Sequence, residues 1–194
     1  MNFSKRQIEI IEASKDLIGL KGIQNLTIRN LAEKMSFTQP SLYRHFKDKT
    51  AILKSVLLFY KEILSKGLIT IIKSDKSSLV KIESIINFQF NHFKENPAVI
   101  MVIFSETSFQ YNSILSDVVA KIMKQKNKML VGIIDEGKKK GEIRVDISSE
   151  QLATIIMGSM RLTVLKWKLT DFNSDLTNEG KVLWNTIEKL IKKQ

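Results

Sequence analysis

Residues 26–46 read LTIRNLAEKMSFTQPSLYRHF and decide the fold of the amino-terminal region. Apolar residues recur at helical spacing on both sides of a break at residues 36–38. Thr27 and Thr38 each stand where a helix needs an N-cap, because a threonine hydroxyl accepts a hydrogen bond from a free amide of the first turn. Pro40 fits a first helical turn, where the amide hydrogens have no helical partner. The stretch therefore predicts two short helices joined by a turn of about three residues.

The same stretch predicts which side of the second helix is buried. Leu42 and Phe46 lie four residues apart and are expected to anchor this helix from beneath. Phe37 is expected to plug the turn, and the small Ala32 to let the two helices cross closely. With these side chains inside, the polar ones are left outside. The alternative is an ordinary helical hairpin with a polar outer face.

Two short helices with a polar outward face form the unit that lays one helix in the major groove of DNA. Glutamine pairs with adenine edges and arginine with guanine edges, whereas tyrosine, histidine and serine reach phosphate oxygens. A helix start also offers free amide hydrogens to a phosphate. We therefore predict that double-stranded DNA is bound by these residues: Thr27, Arg29, Thr38, Gln39, Ser41, Tyr43, Arg44, His45 and Lys49.

The segment from Ile10 to about Leu53 resembles the DNA-binding domain of the tetracycline-repressor (TetR) family. The resemblance implies a homodimer of all-helical subunits, a divergent ligand-binding domain and an operator that is an approximate palindrome. Ser36 and Phe37 depart from the family pattern, which usually has glycine and then a small aliphatic residue. The resemblance rests on Ala13, Gly22, Thr27-Ile28-Arg29, Leu31-Ala32, Gln39-Pro40-Ser41-Leu42-Tyr43, His45-Phe46 and Lys47-Asp48-Lys49.

The rest of the 194-residue chain also has helical spacing of its apolar residues, and only two prolines and eight glycines interrupt it. We predict an all-α protein of about nine helices. Residues 1–48 are expected to form a three-helix, helix-turn-helix DNA-binding domain whose third helix ends at Phe46. Residues 49–194 are expected to form a helical effector-binding and dimerisation domain.

The composition indicates where the protein is located in the cell and which kind of partner it binds. A count of 31 Lys plus Arg against 20 Asp plus Glu gives a net charge of +11, which favours a polyanionic partner. The alternative is the codon bias of an AT-rich genome, since most of the cations are lysine. The chain has no cysteine, no export signal and no apolar run of the roughly 20 residues that span a bilayer. A cytoplasmic location without membrane contact is predicted.

No enzyme is predicted. The sequence shows no nucleophile–base pair, paired carboxylate site, glycine-rich phosphate loop or metal cluster. His92 and Glu95 lie three residues apart, but a lone pair without other ligands does not make a metal site. Catalytic residues, metals and cofactors are therefore all expected to be absent.

The body of the chain is rich in methionine and aromatic residues at helical spacing. Such residues usually form a core, but in a sensing domain they line an adaptable cavity for an apolar or amphipathic small molecule. Both interpretations stay open. The candidate pocket residues are Phe88, Phe93, Met101, Phe104, Tyr111, Met129, Met157 and Met160.

The last two helices have apolar faces broader than the core of one subunit needs. Gly158 would let two helices approach closely, and a four-helix seam built from two copies is the expected dimer interface. The family resemblance places the interface here as well. The candidate interface residues are Ile155, Ser159, Leu162, Leu183, Trp184 and Ile187.

Two functions are compatible with these features. The first is a repressor that binds a palindromic operator as a homodimer and is released when an effector changes the spacing of its two DNA-reading helices. The second is an architectural or division-associated DNA-binding protein whose body contacts a protein partner. A body without a cavity, and without thermal stabilisation by apolar ligands, would favour the second.

Overall fold

The computed structural model describes residues 3–105, 109 and 112–193, and these residues form nine α-helices. Within these ranges, β pairing is limited to one isolated bridge between Ile143 and Lys192. None of the described helices is both long and apolar enough to cross a bilayer. The prediction of an all-α protein with about nine helices is confirmed. The helices are α1 (Lys5–Lys21), α2 (Ile28–Met35), α3 (Gln39–Tyr43), α4 (Lys49–Ile72), α5 (Ser78–Glu95), α6 (Pro97–Ile103), α7 (Ser113–Lys139), α8 (Ser149–Leu169) and α9 (Leu176–Ile191).

Capping side chains explain where several helices begin and end. At the start of α1, the Gln7 amide donates to Ser4 Oγ (3.2 Å) and the Ser4 amide donates to Gln7 Oε1 (3.0 Å), so each residue satisfies a free donor of the other. Ser148 and Gln151 form the same capping box at the start of α8. Gly22 ends α1 with a positive φ of 76°, a backbone region open to glycine.

The third helix is shorter than the sequence predicted. It ends at Tyr43 and not at Phe46, because the amides of His45 and Phe46 both donate to the carbonyl of Leu42 (2.9 and 3.0 Å). This shared acceptor tightens the chain into a turn that interrupts the regular helical ladder. Phe46 is buried even so, and Asp48 caps α4 by accepting from the Ala51 amide at 2.7 Å.

The contacts divide the chain into two compact units. The first contains the described residues of 1–63 and 96–121, so every described residue of 1–48 belongs to it. In this unit α1 packs closely on α6, and a Cβ at Gly19 would lie only 2.6 Å from the Cβ of Ala98. A functional boundary after residue 48 stays a prediction.

The second unit contains the described residues of 64–95 and 122–194. Here α9 packs on α5 and α8, and the ring of Phe90 lies so close to α9 that a Cβ at Gly180 would be 2.7 Å from its Cδ2. The buried Lys81 of α5 forms an ion pair with Glu136 of α7 (Nζ–Oε2, 3.2 Å). Hydrogen bonds from Lys140 and Lys81 lower the pKa of the Glu136 carboxyl, so it stays charged opposite Lys81.

Candidate nucleic-acid interface

The first helix of the motif, α2, begins at an exposed threonine. Thr27 Oγ1 accepts from the Asn30 amide at 3.0 Å, which leaves the hydroxyl hydrogen available to a phosphate oxygen. Arg29 is highly exposed and forms an ion pair with Glu33 one turn later (2.9 Å). Because exposed pairs of this kind contribute little free energy, Arg29 is readily released toward a phosphate.

The second helix, α3, separates apolar and polar residues as expected. Leu42 is fully buried and Phe46 is buried, so the expected anchoring of this segment is confirmed. Gln39 is exposed, and 52% of Tyr43 is accessible although tyrosine could bury a large apolar ring. Exposure of the Tyr43 ring does not stabilise the fold. It does leave Gln39 and Tyr43 accessible, as contacts with bases and phosphates require.

The polar groups at the start of α3 are held in place by hydrogen bonds among themselves. Thr38 caps the helix and its hydroxyl lies 3.0 Å from that of Ser41. Arg44 Nη2 donates to Ser41 Oγ at 3.0 Å, so the exposed guanidinium is oriented along the outward face. This orientation reduces the rotamer entropy that the arginine would lose on meeting a base edge.

The sequence did not reveal how α3 is tied to α1. His45 is half-buried, and its carbonyl accepts from Gln7 Nε2 at 3.3 Å across 38 residues of sequence. Gln7 thus has two roles, because the same side chain completes the capping box of α1. The capping-box pattern signals the first role, but no sequence pattern signals the second.

Lys49 lies at the start of α4 and is partly withdrawn from solvent. Its ammonium donates to the carbonyl of Ile23 at 3.5 Å, and burial lowers the pKa of the lysine. The predicted contact between Lys49 and a phosphate would therefore compete with this weak internal hydrogen bond.

The turn between α2 and α3 contains a strained residue. Ser36 has φ 55° and ψ 39°, a left-handed conformation that costs a non-glycine residue on the order of 1 kcal/mol. The turn still closes, since the amide of Phe37 donates to the Ala32 carbonyl at 2.8 Å.

Replacing Ser36 with glycine is expected to raise the free energy of unfolding by up to about 1 kcal/mol, because glycine has no Cβ to clash in this conformation. In a domain of this size the Tm should rise by roughly 2–4 °C in calorimetry. Ser36→Val, which adds a branched side chain at the strained position, is the control and should melt below the wild type. A lower Tm for Ser36→Gly would argue against strain at this turn.

The candidate effector residues fall into three groups. Met101 and Phe104 belong to the first unit, and Tyr111 lies outside the described residues. In the second unit, Phe93 and Met160 are buried core side chains, whereas Phe88, Met129 and Met157 are half-buried.

Two surface hollows of this unit, of about 490 and 560 Å³, contain none of the candidate effector residues. The first is lined by Lys166, Trp167, Thr170, Asn173, Ser174 and Glu179, and the second by Ile147, Glu150, Gln151, Thr154 and Ile155.

Phe88 has a well-defined place within the second unit. Its ring fills a notch at Gly67 of α4, where a Cβ would lie 2.1 Å from Cζ, and it stacks with His92 at 6.4 Å between ring centroids. The half-buried ring thus joins α5 to the second half of α4.

The candidate dimer residues divide between surface and core. Ile155 and Leu162 of α8 are 46% and 53% exposed, whereas Trp184 and Ile187 of α9 are buried inside the subunit. The latter two therefore do not lie on an exposed face. Ser159 and Leu183 are half-buried. On α9 the exposed apolar side chains are instead Val182 and Leu190, at 59% and 51%, which the list of candidates did not contain.

Comparison with known proteins identifies the class. The family described as "Bacterial regulatory proteins, tetR family" matches residues 10–56, and the "YsiA-like protein, C-terminal region" matches residues 51–191. The second match alone spans more than half of the chain. The chain belongs to the TetR family of bacterial regulatory proteins, and it is a DNA-binding regulator and not an enzyme.

Individual relatives are distant but match over nearly the whole length. The nucleoid occlusion factor SlmA of Vibrio vulnificus is 21% identical over 190 residues, 97% of each chain. The transcriptional repressor KstR2 of Mycolicibacterium smegmatis is 23% identical over 165 residues, 85% of this chain and 80% of the relative. The crystal structure of FadR from Bacillus subtilis in complex with stearoyl-CoA has a TM-score of 0.80 at 22% identity and covers 93% of this chain and 96% of that one. At this identity the structural likeness establishes the fold.

Proposed function

We propose that this regulator is a cytoplasmic repressor that binds a palindromic operator as a homodimer and leaves it when an apolar or amphipathic small molecule binds. The observation that carries the proposal is the outward face of α3, where Gln39 and Tyr43 are exposed above the buried Leu42. A single such helix reads only a few base pairs. Two copies related by a two-fold axis read two half-sites about one helical turn apart, which gives useful affinity and specificity.

The outward faces of α8 and α9 support dimerisation. Leu162 and Val182 are each more than half exposed, and exposed apolar side chains grouped on two neighbouring helices favour an interface. Gly158 lies on the same face of α8, and a Cβ added there would meet no atom within 4 Å. A helix of a second copy could therefore approach closely at Gly158.

Helix α4 is the element that we propose transmits the effector signal. It contributes residues 49–63 to the first unit and 64–72 to the second. In the first unit, the Tyr60 hydroxyl donates to Glu12 Oε2 of α1 at 2.7 Å, and burial raises the pKa of Tyr60 so that it remains a neutral donor. A displacement of α4 would thus be passed to α1 and change the distance between the DNA-reading helices of the dimer.

An amphipathic effector is favoured by an unusual cation in the second unit. Lys126 lies on the same face of α7 as the buried Leu130 and Ile133, four and seven residues later. Burial lowers the pKa of Lys126, and no carboxylate in the described part of the chain is paired with it. The Lys126 side chain is half-buried, so its ammonium loses part of its hydration without gaining a counter-ion, which is unfavourable. A ligand with an apolar chain and an anionic group would supply the missing charge, and half-buried Met129 would contact its chain.

The test begins with selection of DNA fragments that the protein binds, followed by addition of stearic acid, stearoyl-CoA or uncharged stearyl alcohol. We expect an anionic ligand to release the DNA and to raise the Tm. At a ligand concentration 100 times its Kd the stabilisation is about 2.7 kcal/mol, or roughly 5–11 °C. Lys126→Met should lose the preference for the charged ligands, whereas Lys128→Met, an exposed position two residues later, should keep it. If none of the three ligands releases the DNA and none raises the Tm, the proposal of an amphipathic effector is contradicted.

A second candidate function is favoured by the match to SlmA over 97% of both chains. In this case the protein would be an architectural or division-associated DNA-binding protein, and its body would contact another protein. The same titration separates the two functions, because DNA binding without any response to amphiphiles is the expected result for the second.

A further inference from the structure

The first turn of α1 contacts the turn of the helix-turn-helix through an arginine and an aromatic ring. The guanidinium carbon of Arg6 lies 5.0 Å from the centroid of the Phe37 ring, a cation–π distance. Arg6 Nη1 also forms an ion pair with Glu9 Oε2 at 2.5 Å. About half of the Arg6 side chain is nevertheless exposed to solvent, so its charge remains available to an outside partner.

Phe37 places this charge next to the start of the reading helix. It directly precedes Thr38, the N-cap of α3, and its amide is fixed by the Ala32 carbonyl at 2.8 Å. Gln7, the neighbour of Arg6, is bound to the carbonyl of His45 beyond the other end of α3. The first turn of α1 therefore contacts the chain on both sides of α3, and Arg6 lies against the residue that precedes Thr38.

We propose that Arg6, held in position by the ring of Phe37, forms a contact with a DNA phosphate in addition to those made by α2, α3 and α4. This inference requires only the DNA binding of the class and does not depend on the effector. It also gives a role to the departure at Phe37, because a small aliphatic residue would plug the turn but would offer no π face to a guanidinium.

The chemistry of arginine suits this position. Its planar group stacks on an aromatic ring with one face while the N–H groups at its edge donate to two phosphate oxygens. Glu9 holds the same group in the absence of DNA, and its carboxylate repels a nearby phosphate. Glu9 thus opposes the contact, so that the affinity for DNA reflects the balance between the two acceptors.

The experiment measures the salt dependence of binding to a random-sequence duplex of about 30 base pairs, long enough for two half-sites. A phosphate contact is independent of sequence, so no operator is needed. Arg6→Ala should weaken binding about 3- to 10-fold and reduce the slope of log K against log salt by about 1.8 between roughly 50 and 200 mM, because a dimer loses one phosphate contact in each subunit. Phe37→Val should weaken binding in the same direction, and Glu9→Gln should strengthen it.

The control for loss of charge is Arg144→Ala, because Arg144 is paired with Asp146 in the second unit at 2.6 Å and is not near α3 in sequence. Its slope should equal that of the wild type. The decisive comparison is the double variant: Phe37→Val should have no further effect once Arg6 is alanine. An equal cost in both backgrounds, or an unchanged slope for Arg6→Ala, would overturn the proposal. If Phe37→Val fails to fold, Arg6→Lys replaces it as the test of stacking on the Phe37 ring. Wild-type affinity for DNA in Arg6→Lys would contradict a role for stacking.

Discussion

Alanine at both Tyr43 and His45 is expected to raise the Kd for operator DNA at least about 100-fold, since each lost contact in a specific complex costs about 1–3 kcal/mol. Neither change should unfold the protein. Half of the Tyr43 side chain is exposed, and the hydrogen bond from Gln7 to residue 45 uses a backbone carbonyl that alanine retains. A mobility-shift assay on selected DNA gives the Kd, and circular dichroism reports the fold.

Leu42 provides the matched control for this prediction because it lies on the opposite side of α3 and is fully buried. Leu42→Ala should cost about 2–5 kcal/mol of folding free energy and lower the Tm. The double alanine variant of Tyr43 and His45 should thus lose DNA binding and keep its Tm. Leu42→Ala should instead lower the Tm and, where folded, keep DNA binding. Wild-type affinity for the Tyr43→Ala, His45→Ala double variant would rule out this face as the reading surface.

The second large effect is expected from arginine at Leu162, which lies on the outward face of α8. In a two-fold dimer each substitution appears twice, and both charges would be buried without a partner. We expect the dimer dissociation constant to rise at least about 100-fold, as measured by analytical ultracentrifugation. Operator affinity should fall with it, because a monomer reads one half-site only.

Val182→Arg on α9 should have the same effect, since Val182 is exposed to a similar extent. Val80→Arg is the control, because Val80 is an exposed apolar residue of α5, outside the two helices of the proposed interface. A Leu162→Arg protein that remained dimeric, with unchanged DNA binding, would mean that the subunits associate through other surfaces.

Local chemistry explains which features of the fold could be predicted from the sequence. The hydroxyls of Ser4, Thr27 and Thr38 cap helices through amides within three residues, so the sequence contains both partners. The end of α3 was predicted wrongly because the amides of His45 and Phe46 both donate to the Leu42 carbonyl, a turn that the four-residue spacing of Leu42 and Phe46 does not distinguish from continued helix. Periodicity also identified Trp184 as apolar without distinguishing the core of one subunit from an interface between two.

The proposed DNA-binding face could also be predicted only as far as its residues lie close together in the sequence. Its outward residues follow from a single short helix and its buried anchor Leu42, so a pattern of eight residues contains the information. Arg6 and Gln7 were missed because their partners, Phe37 and the carbonyl of His45, lie 31 and 38 residues away in the chain. Contacts at such separation depend on how α1 crosses α3, which no local pattern encodes.

The attachment of α3 to α1 through Gln7 has a practical consequence for engineering regulators of this kind. A chimera that borrowed only residues 28–43 would exchange the base-reading side chains while losing the amide that braces them from α1. An exchange should therefore extend at least from Ser4 to Asp48, so that Gln7 moves together with α3. Exchanging that segment is expected to transfer the DNA preference together with the side chain that braces α3.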